Sequence, residues 1–274
     1  MESRAEIDYY AALAALEWQI ELGVDAAVLD EPVDAYGLPE ALARPVAPAA
    51  PPAREAAPGG AAVAPVMRVV EGPDPVAVAR AAAGAARDLA ALAEAVAGYE
   101  LCDLKKGARS TVFADGNPGA RVMIIGEAPG RDEDLQGKPF VGRAGQLLDR
   151  MFGAIGLARG APDALAALYI TNVLPWRPPG NRDPEPAEIA QMLPFLARHV
   201  ELADPDLIVL MGNAACAAAL GQRGILRLRG TWAEAFGRPA LPMTHPAYLL
   251  RQPAAKREAW ADLLSLRARL DAAG

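Results

Sequence analysis

Three polar side chains in this chain each lie at the end of a short apolar run. Glu127 follows Val122-Met123-Ile124-Ile125-Gly126, Asn172 lies in LYITNVL (168–174), and His245 closes LPMTH (241–245). An acid, an amide and an imidazole brought to one rim can read a polar, planar ligand and stabilise charge that develops on it. Their neighbours add to the set. Gly126-Glu127-Ala128-Pro129-Gly130 runs into Arg131-Asp132-Glu133-Asp134, Asn172 precedes Arg177-Pro178-Pro179-Gly180-Asn181-Arg182, and His245 leads Pro246-Ala247-Tyr248-Leu249-Leu250-Arg251. Each signal alone has an ordinary structural reading. A Gly-Pro-Gly loop is a turn, an Asn at a strand end is a turn or cap former, and Phe140 in GKPFVG is a core aromatic. Their joint occurrence after successive apolar runs is what marks a site.

Those runs must be strands for the rim to exist. VMIIG (122–126), LYITNVL (168–174), DLIVLMG (206–212) and LPMTH (241–245) are short and continuously apolar, as strands buried on both faces are. Helical patterns lie between them at Ala144 to Ile155, Pro186 to Leu202 and Asn213 to Leu220. Alternating strand and helix predicts an α/β fold, a parallel sheet with helices on both faces, and places active sites at the C-terminal ends of the strands. Upstream, Asp74-Pro75 reads as an N-cap with Pro at the first helical position, opening one helix from Val76 to Ala97.

The N-terminal third has a different character. Ser3 to Glu6 fits a capping box, Ile7, Tyr10, Leu13, Leu16 and Ile20 recur at helical spacing, and Gly23 is a stop. Between Ala41 and Pro65, 19 of 25 residues are Ala, Pro or Gly, a composition that predicts a flexible, partly extended linker. The expected organisation is an N-terminal helical extension (1–40), a linker (41–73) and one catalytic domain (74–274).

Composition sets further bounds. Hydrophobic residues make up 53% of the 274, enough for a core, and no run reaches the roughly 18 uncharged apolar residues of a membrane span. The start, MESRAEIDYY, lacks the order of a signal peptide, so a cytoplasmic protein with no membrane partner is expected. Cys102 and Cys216 are too few for a disulfide scaffold or a four-thiolate metal site, and His199 and His245 too few for a His-rich centre. The net charge of −7 sits in residues 1–97, with 15 acidic and 6 basic side chains. Residues 98–274 carry 19 and 21, so a local DNA-facing patch remains open.

The runs GEAPGRDEDLQGKPFVGRAGQLLDRM (126–151), YITNVLPWRPPGNRDPEPAEI (169–189) and HPAYLLR (245–251) resemble the family-four uracil-DNA glycosylases, from about Cys102 to Leu270. The resemblance implies a three-layer α/β/α sandwich around a four-stranded parallel sheet, and cleavage of the N-glycosidic bond of deoxyuridine in DNA for base excision repair. It implies that Phe140 stacks on the flipped-out uracil and Asn172 binds its N3 and O4 edge. His245 would hold O2, Glu127 would lie beside the sugar and the attacking water, and Glu133 would sit near uracil C5. Ala128 would border the base where the best-known members of the superfamily carry a water-activating aspartate, which leaves the general base open between Glu127 and a water held mainly by backbone. Leu250 and Arg251 would enter the duplex and grip phosphate, with Arg177 and Arg182 as further DNA contacts. Uracil-containing DNA is the implied partner, a monomer is expected, and the N-terminal extension offers a place for a repair or replication protein.

One departure from the family stands out. Its members typically hold an iron–sulfur cluster through four cysteines, and the matching positions here are Tyr99, Cys102, Trp176 and Met192. One thiolate cannot hold such a cluster, so no cofactor and no metal are expected. A uracil- or lesion-DNA binding protein with weak turnover is the alternative, against which the retention of Glu127, Phe140, Asn172 and His245 argues. A nucleotide hydrolase would need a phosphate-cradling Lys-Ser/Thr loop, which GEAPG lacks.

Overall fold

A computed structural model describes residues 73–272; the expected N-terminal helix and the linker lie outside them. In chain order the elements are α1 (Pro75–Ala85), α2 (Leu89–Gly98), α3 (Leu104–Gly107), β1 (Asp115–Gly116), β2 (Val122–Gly126), α4 (Arg131–Gln136), α5 (Arg143–Gly153) and β3 (Leu168–Asn172). There follow α6 (Pro186–Ala203), β4 (Leu207–Met211), α7 (Gly212–Leu220), α8 (Ile225–Leu228), β5 (Ala233–Ala235), β6 (Arg238–Met243), α9 (Pro246–Arg251) and α10 (Lys256–Ala272).

The four apolar runs form the parallel centre of one sheet in the order β3-β2-β4-β6. Alternate side chains feed two cores. Met123, Ile125, Tyr169, Ile208, Leu210 and Ala240 pack with α1, α2, α6 and α7. Val122, Ile124, Ile170, Val209, Leu241 and Met243 face the other way, onto Leu148 and Phe152 of α5 and Leu263, Leu266 and Leu270 of α10. Both faces of each strand are therefore dry, which is why these runs are apolar throughout rather than alternating. The result is the three-layer α/β/α arrangement. Two antiparallel edge strands, β1 beside β3 and β5 beside β6, extend the four strands to six. At two and three residues they are too short to show a period in sequence.

The helix expected from Val76 to Ala97 is instead two. Asp74 caps the first, its Oδ1 accepting from Val76 N at 3.0 Å. The break falls at Ala86–Asp88, where Asp88 Oδ1 accepts from Ala91 N at 2.8 Å and starts α2. An aspartate able to satisfy a free N–H competes with continued helix, and alanine propensity alone does not outweigh it. The carbonyl freed at Ala86 accepts two bonds from the Arg198 guanidinium of α6, at 3.1 and 2.8 Å.

A buried polar pair lies inside the first core. His199 on α6 is 2.8 Å through Nε2 from the Tyr169 hydroxyl and stacks on Phe113, ring centroids 4.3 Å apart. Burial lowers the His199 pKa from 6.5 to about 3. Because the folded value lies below the unfolded one, the stability it supports is complete above pH 6.5 and is lost as pH falls toward 3. At 1.36 kcal/mol per pH unit, native stability falls by about 2 kcal/mol from this group between pH 7 and pH 5. His199→Gln, which cannot take up a proton, will lose correspondingly less over that interval in urea unfolding. An equal loss in both proteins would refute the assignment.

Candidate active site

Register brings the site together. β2 and β3 pair in parallel with Gly126 opposite Asn172, so the amide stands beside the start of the Gly126–Gly130 loop. Backbone bonds from Val173 N to Gly126 O and from Leu174 N to Glu127 O, both 3.0 Å, extend that pairing past the strand ends. A methyl group at Gly126 would come within 2.5 Å of the Phe140 ring and collide with Asn172 Oδ1. Glycine is required there because ring and amide both close over the backbone.

Phe140 is buried at 6% exposure and has φ +53°, a left-handed backbone that strains a residue bearing a Cβ by about 1–3 kcal/mol. Its carbonyl lies directly on Gly145 of α5, where any side chain would overlap it. The ring faces His245, centroids 5.4 Å apart and planes 30° apart. Asn172 is likewise 6% exposed, and its Oδ1 is buried with no hydrogen-bond partner. A buried, unmatched amide oxygen costs about 1–3 kcal/mol, so its bonding is completed by something outside the described side chains, a water or a ligand.

His245 lies two residues beyond the end of β6 and caps α9, with Pro246 at the first helical position. Its Nδ1 accepts from Ala247 N at 3.1 Å, so the neutral ring carries its proton on Nε2. Burial, and next the charge of Arg251, lower its pKa to about 4. At neutral pH this residue is an uncharged donor. Glu127 is partly buried, and its carboxyl is raised above the ordinary range by burial first and by Asp183 second, with Arg223 opposing. Ala128 packs against the core cluster that holds Tyr169 and Trp176.

The other expected residues divide by what they touch. Glu133 accepts three backbone N–H groups, Gly130 at 3.1 Å through Oε2 and Val141 and Gly142 at 2.9 and 2.8 Å through Oε1. Its carboxylate joins the Gly126–Gly130 loop to the Phe140 loop. Arg182 forks onto Glu188 at 3.0 and 2.6 Å and meets Glu185 at 3.2 Å, so its charge is held at the start of α6. Arg177 donates to Asn181 Oδ1 at 2.8 Å on the exposed loop before α6. Leu250 is half-buried beside Leu147, Leu249 and Ala259, and Arg251 is exposed without an ion pair to any described residue.

Tyr99, Cys102, Trp176 and Met192 all belong to the first core, at 4, 1, 1 and 1% exposure. The Tyr99 hydroxyl donates to Pro75 O at 2.8 Å, Trp176 Nε1 donates to Thr111 Oγ1 at 3.0 Å, and burial pushes the Cys102 thiol up. One protonated thiol among two hydrogen-bonded aromatics and a thioether does not fit an iron–sulfur cluster, which thiolates hold. Among the described residues, no group of three or more His, Cys, Asp or Glu is placed to hold a metal ion.

The rim of the sheet thus carries a buried amide oxygen without a partner, an aromatic ring, a neutral imidazole donor and a partly buried carboxyl, groups able to stack on and hydrogen-bond a planar polar ligand. Residues 113–264 match the uracil DNA glycosylase superfamily, and the chain belongs to that family. Within it the chain is similar to type-4 uracil-DNA glycosylases. It is 40% identical to that of Archaeoglobus fulgidus over 166 residues, 57% of this chain and 80% of the relative. It is 37% identical to that of Thermotoga maritima over 153 residues (55% and 77%), and 35% identical to that of Pyrobaculum aerophilum over 191 residues (64% and 91%).

Proposed function

We propose that this rim receives a single uracil extruded from DNA and hydrolyses its N-glycosidic bond with Asn172, Phe140, His245 and Glu127. The activity itself, uracil removal in DNA repair by a uracil-DNA glycosylase, goes with membership of the family. The observation that supports the residue assignment most is the unpartnered Asn172 Oδ1 beside the Phe140 ring.

A base inside a duplex is stacked and out of reach, so it must be flipped out, at a cost of a few kcal/mol. Phe140 supplies a stacking face, and Leu250 fills the gap left in the stack while Arg251 meets phosphate. Uracil N3–H donates to Asn172 Oδ1, and the amide N–H donates to O4. As the C1′–N1 bond breaks, its electron pair passes to uracil and negative charge collects at O2, where His245 Nε2–H donates. A neutral donor is suited to this work: it stabilises the anion without being a cation that must be buried before the reaction. Water adds to the oxocarbenium-like C1′. Glu127 faces that positive charge and takes the proton of the water, its affinity for a proton raised by burial. Glu133 supports the pocket by holding the two loops together.

The chemistry needs no metal or organic cofactor, and Tyr99, Trp176 and Met192 fill the space by packing. Purified protein will be colourless, and elemental analysis will find no stoichiometric iron. Iron at one cluster per chain with visible charge-transfer absorbance would overturn this. We further propose that the chain works as a monomer in the cytoplasm and that its acidic N-terminal third meets a repair or replication protein. Excision is tested by single-turnover cleavage of a uracil-containing oligonucleotide; tight binding without cleavage would favour the weak-turnover alternative.

A further inference from the structure

Phe140 does not hold its position unaided. At φ +53° its backbone is strained, and relaxation to an extended conformation would swing the ring off Gly126 and away from Asn172. The N–H groups that follow it, Val141 and Gly142, are held by Glu133. The carbonyls are held by a residue that plays no part in the chemistry above. Arg159 donates from Nη1 to Pro139 O at 2.9 Å and from Nη2 to Phe140 O at 2.8 Å.

The guanidinium is fixed in turn. Nε donates to Asp149 Oδ1 on α5 at 2.8 Å, and Nη1 donates to Asp115 Oδ2 on the edge strand β1 at 3.1 Å. Its side chain is only 17% exposed. One planar fork therefore serves four acceptors: two carboxylates that anchor it and two consecutive carbonyls on the stacking loop. A lysine ammonium is a point donor and cannot reproduce that geometry.

We infer that Arg159 is a positioning residue for base capture, holding Phe140 in its left-handed backbone so that the ring is in place before uracil arrives. The inference rests on Phe140 being the stacking platform. Arg159 touches neither base nor sugar, and acts by keeping the platform from relaxing. Misplacement of such a group by about 1 Å is enough to lower a rate by about a hundredfold.

The test is a double-mutant cycle on single-turnover excision of uracil from an oligonucleotide, comparing Arg159→Ala, Phe140→Ala, the double variant and the unaltered protein. Arg159→Ala is expected to slow excision by about ten- to a hundredfold. In the Phe140→Ala background the same change is expected to add nothing further. Millimolar guanidinium should restore part of the Arg159→Ala rate and leave Phe140→Ala unchanged. Multiplicative losses in the double variant, or guanidinium acting equally on both single variants, would overturn the inference. Full activity of Phe140→Ala would overturn the stacking assignment beneath it instead. If Arg159→Ala does not fold, Arg159→Lys carries the test. It keeps the charge beside Asp115 and Asp149 but loses the two-carbonyl fork, and an undiminished rate in that variant would overturn the role.

Discussion

Asn172→Asp will lower uracil excision by about a hundredfold or more. The Asn172 amide lies at 6% exposure beside Gly126, with its Oδ1 buried and without a hydrogen-bond partner. Uracil presents N3–H as donor and O4 as acceptor on one edge, and an amide answers both. A carboxylate answers N3–H but sets an anion against O4, and it must be buried to do so. One repelled contact and one poorly solvated charge cost about 1–3 kcal/mol each, and 2.8 kcal/mol is about a hundredfold. Cytosine reverses the pattern, with N4–H₂ as donor and N3 as acceptor. Against the native amide cytosine would meet two mismatches, and the carboxylate would relieve the one at N4. Matched oligonucleotides carrying uracil or cytosine will show the first rate collapsing and a slow second activity emerging. Unaltered uracil cleavage by the variant would remove Asn172 from the recognition edge.

His245→Ala will lower the chemical step by about a hundred- to a thousandfold, the effect of removing one preorganised donor from a developing anion. The pH profile separates this role from acid catalysis by an imidazolium. With its pKa lowered to about 4 by burial and Arg251, His245 is already neutral at pH 6. The single-turnover rate will therefore show no decline through pH 6.5 of the kind an ordinary histidine acid would give. It will instead fall on acidification through a value above the ordinary glutamate range, as Glu127 takes up its proton. Glu127→Gln will be slow and will lack that acid limb. A rate that rises with acid through pH 6.5 would contradict a neutral His245.

The parallel sheet and its rim were legible because each depends on local chemistry. A strand covered on both faces must be apolar throughout, so VMIIG and LIVLM announce themselves, and the residues that follow such strands are the ones a parallel fold exposes at one edge. Glu127, Asn172, Phe140 and His245 could be named on that basis together with the resemblance. Asp88 shows where local reading falls short: its capping strength was present in the sequence, but an alanine-rich helix was the stronger pattern until Arg198 supplied partners for the broken turn.

The intramolecular contacts of Glu133, Arg182 and Arg159 were not legible, because charge type does not reveal what a charge touches. Glu133 reads as an acid near the base, yet its two oxygens accept three N–H groups. Arg182 reads as a DNA contact, yet it forks onto Glu188. Arg159 carries no motif at all, and its meaning depends on Asp115, the Pro139-Phe140 pair and Asp149 arriving from three places in the chain. Residue type and spacing thus determined which elements form and which groups reach the rim, since propensity and burial act along the chain. Which of those groups find a partner within the chain, and which are left without one, was decided only by tertiary packing. A hydrogen bond is a matter of ångströms and angles between segments that sequence separation leaves undetermined.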